Sequence, residues 1–156
     1  FISGKQINPS TISSSLDFSE TSLELLKSKI DYLGLDNIVL VDGDYKDTMR
    51  DKSLAGVNFM SALIDCDLYE SHKFSLPFVW DRMVLNGYIY LDEYYSLKFP
   101  GARIATNEFF LDKKDKPQMY PRNLMDFERW FVLKNNSNLF NKTSLAKYNL
   151  SILLFI

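Results

Sequence analysis

Two short apolar runs, each followed at once by acidic residues, constrain the fold of this chain more than any other feature. The runs cover residues 60–64 and 88–91. Short apolar runs bounded by turn residues are typical of buried strands in a parallel sheet. Helical patterns alternate with such runs along the chain, which predicts an α/β fold.

Four carboxylates follow these two predicted strands. Asp65 and Asp67 come after the first strand, and Asp92 and Glu93 come after the second. Because ligands of open α/β sheets bind beyond the carboxyl ends of the strands, we expect the four side chains at one sheet edge. Crowded carboxylates repel one another unless a cation or a shared proton intervenes, and Mg²⁺ prefers oxygen ligands. The alternative is a polar turn in which Asp67 caps the next helix.

The other elements are predicted from periodicity and from turn residues. Thr21 and Glu24 have capping-box spacing before the first helix, and Gly34 suits its end. Pro77 predicts a kink or a late start of the third helix, and the Asn-Gly pair at 86–87 predicts a turn. The last two strands could pair as a hairpin. The predicted helices cover residues 23–33, 48–54, 70–83 and 102–110, and the predicted strands cover residues 38–41, 60–64, 88–91, 118–120 and 130–133.

Composition narrows the class of protein. The chain has 156 residues, of which 46% are apolar and 24% charged, so one packed domain is expected. The net charge of -2, with acids and bases interspersed, argues against a nucleic-acid-binding surface. Cys66 is the single cysteine, which favours a reducing, cytoplasmic setting. The apolar end at 152–156 is far shorter than the ~20 residues of a spanning helix, so no membrane association is expected.

Four motifs between residues 19 and 133 occur together in a recognisable order. They are GDYKDT from Gly43, DCDLYES from Asp65, GYIYLDEY from Gly87, and PGAR from Pro100 followed by NEF. In order and spacing they resemble the motifs of the macrocin O-methyltransferase (TylF-like) family. The resemblance implies a Rossmann-like class I methyltransferase sheet, with S-adenosylmethionine (SAM) as the methyl donor and Mg²⁺ as a second cofactor.

The resemblance also implies roles for the acidic residues. Asp65, Asp92 and Glu93 would hold the metal, and Asp67 would support the site or bind substrate. The reaction would be Mg²⁺-assisted methyl transfer to a hydroxyl of a sugar or a glycosylated natural product. Since a metal can lower the pKa of that hydroxyl and a carboxylate can take its proton, Asp65 and Asp67 are the catalytic candidates.

The chain departs from the family pattern in several places. Glu93 stands where the family has a second aspartate, and His72 replaces a small hydroxyl residue. The six glycines form no G-x-G, the loop that holds SAM in class I methyltransferases. We therefore expect a partial methyltransferase domain at 1–134 that lacks its first two strands, followed by an Asn-rich tail at 135–156. Such a chain should bind SAM weakly or not at all, and its open strand edges favour homo-oligomers.

Several candidate residues have both a functional and a structural interpretation. Gly43 and Asp44 could face the adenosine of SAM, or they could form a turn. His72 could be a base, a ligand or a substrate contact, or it could be a surface or hydrogen-bonded residue. Tyr94 follows the acidic pair and could pack on a sugar ring. Cys66 is predicted to be a small buried apolar residue rather than a nucleophile.

Two rival functions remain open. A glycosyltransferase also uses a D-x-D motif, in which a metal binds a nucleotide-sugar diphosphate, but it leaves Asp92 and Glu93 unexplained. The second rival is non-catalytic: a remnant, or a module that completes its sheet with another chain.

Overall fold

The fold is given by a computed structural model that contains four helices and six strands within the residues it describes. Those residues are 22–51, 54–122, 127–135 and 152–155. The helices are α1 Leu23–Tyr32, α2 Tyr45–Thr48, α3 Tyr69–Arg82 and α4 Pro100–Phe109. The strands are β1 Ile38–Val41, β2 Phe59–Ile64, β3 Met83–Leu91, β4 Gln118–Met119, β5 Trp130–Leu133 and β6 Ile152–Phe155. None of the helices in these ranges is long and apolar enough to cross a lipid bilayer.

Contacts divide the chain into two compact units, Phe1–Asp42 with Lys147–Ile156 and Gly43–Ala146. The first unit contains α1 and a parallel pair formed by β1 and β6. The second unit contains all the candidate site residues. The predicted strand at 38–41 is confirmed, and its partner is the apolar end of the tail. The predicted domain boundary between residues 134 and 135 stays a prediction.

A four-stranded mixed sheet organises the second unit, in the order β2-β3-β5-β4. Strands β2 and β3 are parallel, whereas β5 is antiparallel to both β3 and β4. The predicted pairing of the last two strands is therefore confirmed. The α/β class predicted from the sequence is confirmed at this level.

One face of this sheet forms the core. The register places Ile64, Ile89, Leu91 and Val132 on the same face, and all four are buried. Helix α3 packs against both β2 and α4. Each fully buried aliphatic side chain contributes about 1.5–3 kcal/mol, so this face stabilises the pairing of β2 with β3 in one register.

The N-termini of helices α1 and α2 are set by capping residues that the sequence analysis did not predict. Ser22, not Thr21, caps α1, because its Oγ accepts a hydrogen bond of 3.1 Å from the Leu25 amide; Thr21 lies outside the described residues. Gly34 ends the helix as predicted, with a φ of +63°. The helix predicted at 48–54 is wrong: Asp44 caps α2, which spans Tyr45–Thr48 and ends at the residue where the predicted helix begins. The predicted late start of α3 is wrong, since the helix begins upstream of Pro77 and continues through it.

The predicted turn at 86–87 is a bulge inside β3. Phe59 pairs with Met83 and Ser61 pairs with Tyr88, so β3 has extra residues between the two pairs. Asn86 has a φ of 61°, which is the left-handed conformation that asparagine tolerates. The reason is that α3 runs directly into β3 at Arg82, and the surplus residues bulge before the regular ladder begins.

Candidate metal centre

The register of the two parallel strands places the acidic residues side by side. Ile64 pairs with Leu91 as the last residues of β2 and β3. Beyond them, the Asp92 amide donates a hydrogen bond of 3.1 Å to the Ile64 carbonyl. Both chains therefore leave the sheet at the same level, and the residues after each strand share one edge.

Three carboxylates meet at this edge. Asp65, Asp67 and Glu93 each have an oxygen within 4.8 Å of those of the other two. Oxygens that share one Mg²⁺ lie ~2.1 Å from the ion, hence at most ~4.2 Å apart, so small side-chain adjustments would suffice. The donor set is entirely carboxylate oxygen, which fits a hard divalent cation.

Charge and burial make this cluster unfavourable when all of its carboxylates are ionised. Asp65 is exposed, but its partial desolvation still raises the pKa of its carboxyl, and the charges of Asp92 and Glu93 raise it further. Burial also raises the pKa of Asp67, with a further increase from Asp65 and an opposing effect of Lys98. A cation would relieve the same repulsion.

Asp92 has a different position from the one expected of a ligand. It is close enough to raise the pKa of both Asp65 and Asp67. The three carboxylate oxygens that lie within 4.8 Å of one another belong, however, to Asp65, Asp67 and Glu93, and Asp92 contributes none of them. Among the described residues, the geometry therefore favours Asp65, Asp67 and Glu93 as the ligand set, with Asp92 as a nearby charge.

Three further residues near the cluster were missed by the sequence reasoning. Burial raises the pKa of Tyr45 to about 12, with Cys66 and Asp65 as further causes, so this phenol lies beside the cluster. The positive charge of Lys98 lies close enough to oppose the rise in the pKa of Asp67. Arg129 donates from Nη1 to the Tyr95 hydroxyl at 3.3 Å. No local sequence pattern identifies Arg129 as a site residue, because its position depends on the antiparallel pairing of the adjacent strand β5 with β3.

The turn at Gly43 and Asp44, which was expected to face SAM, makes its contacts with helix α2. The Asp44 carboxylate accepts from the Lys46 amide at 2.9 Å and pairs with Lys46 Nζ at 3.3 Å. Gly43 has a φ of +130°, and an added Cβ would lie 3.1 Å from Thr48 Cγ2. These are the contacts of a turn and a helix cap. By themselves they show no fit to SAM, and the cofactor role of Gly43 and Asp44 stays a prediction.

His72 is buried, with 1% of its surface exposed. Its Nδ1 lies 3.2 Å from the Leu68 carbonyl oxygen and 3.5 Å from Cys66 Sγ. Burial lowers the pKa of His72, while hydrogen bonds to the backbone of Leu68 and Cys66 oppose that shift. Burial also raises the pKa of the Cys66 thiol to about 12. This placement favours the hydrogen-bonded interpretation of His72 over a substrate contact, and it makes Cys66 a poor nucleophile.

Tyr94 is buried where a substrate residue was expected. Its hydroxyl donates to Asn107 Oδ1 at 2.7 Å, and its ring centroid lies 4.6 Å from that of Trp130. The Arg103 guanidinium lies 4.9 Å from the centroid of the same ring. The contacts of Tyr94 therefore hold the 3-10 turn Glu93–Tyr95 against α4, whereas Tyr95 in the same turn is half-buried.

A shallow depression on α1 contains no acidic side chain. It is lined by Ser28, Lys29, Tyr32 and Leu33, which all belong to α1 or its end. These residues offer no carboxylate, imidazole or thiol ligand, so the depression is not a rival metal site.

Comparison with protein families and with curated proteins identifies no relative of this chain. The sequence matches no protein-family model and no curated protein. The resemblance to the TylF-like family therefore stays an expectation that rests on the four sequence motifs.

Proposed function

We propose that this chain binds a divalent cation at Asp65, Asp67 and Glu93 and uses the site in methyl transfer from SAM to a hydroxyl. The observation that carries the proposal is the meeting of these three carboxylates within 4.8 Å at the ends of two parallel strands. The metal part of the proposal rests on this geometry. The methyl-donor part rests on the resemblance to the TylF-like family.

The electrostatics support a cation rather than a simple polar turn. A turn that only capped α3 would need one carboxylate near the helix start, yet Leu68 is the N-cap and no side chain caps it. Asp67 instead lies with Asp65 and Glu93, at the cost of mutual repulsion. Carboxylates held together in this way are typical of sites that gain a metal.

The chain's own residues can position a hydroxyl and take its proton. A bound Mg²⁺ would supply positive charge that favours loss of the acceptor's hydroxyl proton. A carboxylate beside the metal that is not itself a ligand can then accept this proton, and Asp92 lies beside Asp65 and Asp67 but outside the three-ligand group.

The surroundings of the cluster suit a small acceptor with a ring. Tyr95 and Arg129 contact each other through the phenol hydroxyl. Arg129 lowers the pKa of Tyr90 against the larger effect of burial, and Asp92 raises it, so Tyr90 lies near both charges. Aromatic faces of this kind can pack on a sugar ring. We propose a sugar-containing acceptor for this reason.

A glycosyltransferase is the second candidate, and one observation favours it. Both aspartates of the D-x-D motif belong to the cluster, whereas Asp92 does not. A D-x-D metal that binds a nucleotide-sugar diphosphate would need this arrangement. The two candidates share the cation and differ in the second ligand.

Product analysis separates the two candidates. The chain is incubated with Mg²⁺, millimolar SAM and a panel of glycosides, and products are analysed by mass spectrometry. Methyl transfer predicts a methylated glycoside that disappears with EDTA and in Glu93→Gln, but persists in the exposed control Asp81→Asn. A glycosyltransferase predicts instead that UDP-sugars raise the melting temperature only with Mg²⁺, and that no methylated product forms.

A further inference from the structure

The imidazole of His72 contacts the turn that carries two of the three proposed ligands. We propose that His72 is a positioning residue for the cation site, which contacts the residues on either side of Asp67, Cys66 and Leu68, so that the Asp67 carboxylate meets Glu93. The inference rests on the proposed function, since it concerns the same cation site. It assigns the chain's single histidine a role at that site without direct contact to the ion.

The hydrogen bonds of the ring span Asp67. Nδ1 lies 3.2 Å from the Leu68 carbonyl oxygen, and because a carbonyl only accepts, Nδ1 carries the proton in this contact. The same nitrogen lies 3.5 Å from Cys66 Sγ. Cys66 and Leu68 are the two neighbours of Asp67 in the chain, so one side chain contacts both residues that flank this ligand.

Side chains on α3 extend this restraint. Cys66 Sγ lies 3.5 Å from His72 Nδ1 and 3.7 Å from Ser75 Oγ. Ser75 in turn donates to the His72 carbonyl at 3.5 Å. His72 and Ser75 are both buried, so water does not compete for these contacts. The network ties the turn to the first two turns of α3, a rigid element.

The His72 ring adds a hydrogen bond to the Leu68 carbonyl beyond the backbone bond that begins the helix. The His72 amide already donates to the Leu68 carbonyl at 3.2 Å, which is the ordinary bond of the first helical turn. The ring adds a second donor to the same oxygen. Two donors from one residue restrain the Leu68–Tyr69 peptide group, which follows Asp67 by one residue. Residues that orient metal ligands in this way typically change metal affinity by ~10–100-fold when they are replaced.

The test compares two polar replacements that differ in where they place a donor. In His72→Asn the amide nitrogen falls close to the position of Nδ1, whereas in His72→Gln it lies one carbon further out. Mn²⁺ affinity of the full chain is measured by calorimetry, and metal-free stability is measured by urea unfolding. Ser75→Ala is the matched control, because it removes a buried hydroxyl of the same network that does not touch the turn's backbone.

We expect His72→Asn to bind Mn²⁺ within about threefold of the wild type and His72→Gln to bind at least about tenfold more weakly. Ser75→Ala should lose stability but keep its affinity. Equal affinity of His72→Gln and the wild type would overturn the inference, as would losses that follow stability in all three variants. If the wild type binds no Mn²⁺, the proposed function fails and the inference fails with it. If the wild type binds Mn²⁺ and His72→Gln binds it equally well, the inference alone fails.

Discussion

Asp67 and Glu93 each place a carboxylate oxygen within 4.8 Å of the other, although they follow different strands of the sheet. The relationship follows from the register, since Ile64 and Leu91 end β2 and β3 as a pair. The buried face of the sheet sets that register, and a slip by one residue would turn apolar side chains to the opposite face. The hydrophobic core thus determines which charges meet.

Neighbouring residues after β3 should differ in their effect on cation binding. Glu93→Gln should weaken Mn²⁺ binding about tenfold or more, because Glu93 belongs to the three-carboxylate group. Asp92→Asn should weaken it less than about threefold, because Asp92 acts as a nearby charge. Calorimetry on both variants measures the difference. A larger loss for Asp92→Asn would restore Asp92 as the ligand that the sequence predicted.

The cluster should also make metal-free stability depend on pH. The pKa values of Asp65 and Asp67 are raised in the folded chain, so above about pH 4 the folded state binds more protons than the unfolded state. Their contribution to stability is complete below the ordinary carboxyl pKa and is lost as the pH rises through the folded values. Urea unfolding at a series of pH values should show this decline in the wild type and a flatter curve in a double variant, Asp65→Asn with Asp67→Asn. Identical slopes would mean that neither burial nor the neighbouring charges raise these two pKa values.

Gly87 should tolerate no side chain. A Cβ there would lie 2.6 Å from the Val84 carbonyl oxygen and 2.7 Å from Met83 Cγ. Gly87→Ala should therefore cost about 1–3 kcal/mol in the free energy of unfolding. Gly56→Ala is the control, because no atom lies within 4 Å of its added Cβ. Equal stability of the two variants in urea would show that the bulge in β3 adapts without strain.

Strand β2 should promote self-association. Within the described residues it pairs only with β3, and Leu63 on this strand is 61% exposed. Unpaired strand edges with exposed apolar side chains associate, and a lysine there opposes association. Sedimentation should show oligomers for the wild type and a shift toward monomer for Leu63→Lys, but not for Leu111→Lys, whose side chain is already 80% exposed. A wild-type chain that stays monomeric at high concentration would contradict this expectation.

The sequence predicts the ends of the site strands because local signals determine them. The apolar runs that end at Ile64 and Leu91 are bounded by polar residues, and the observed strands end at the same positions. The helix stop at Gly34 is equally local. Parallel pairing then follows from the general behaviour of α/β sheets.

Other features depend on contacts that no local pattern encodes. The pairing of β1 with β6 joins segments far apart in the chain. The presence of Asp67, rather than Asp92, among the three close carboxylates depends on how the chain turns after Ile64. That turn is restrained by His72, which sequence reasoning considered as a substrate residue or as a hydrogen-bonded one. Burial of Tyr94 depends on its packing against Trp130, which β5 supplies.

The central claim is that the three-carboxylate cluster binds a divalent cation. Titration of the wild-type chain with Mn²⁺, followed by the electron paramagnetic resonance signal of the free ion, tests it most directly. The account predicts one bound ion per chain, displaced by Mg²⁺ and lost when Asp65 and Glu93 are replaced by asparagine and glutamine. A free-ion signal that rises in proportion to added Mn²⁺ up to about 1 mM, as it does in buffer alone, would contradict the claim.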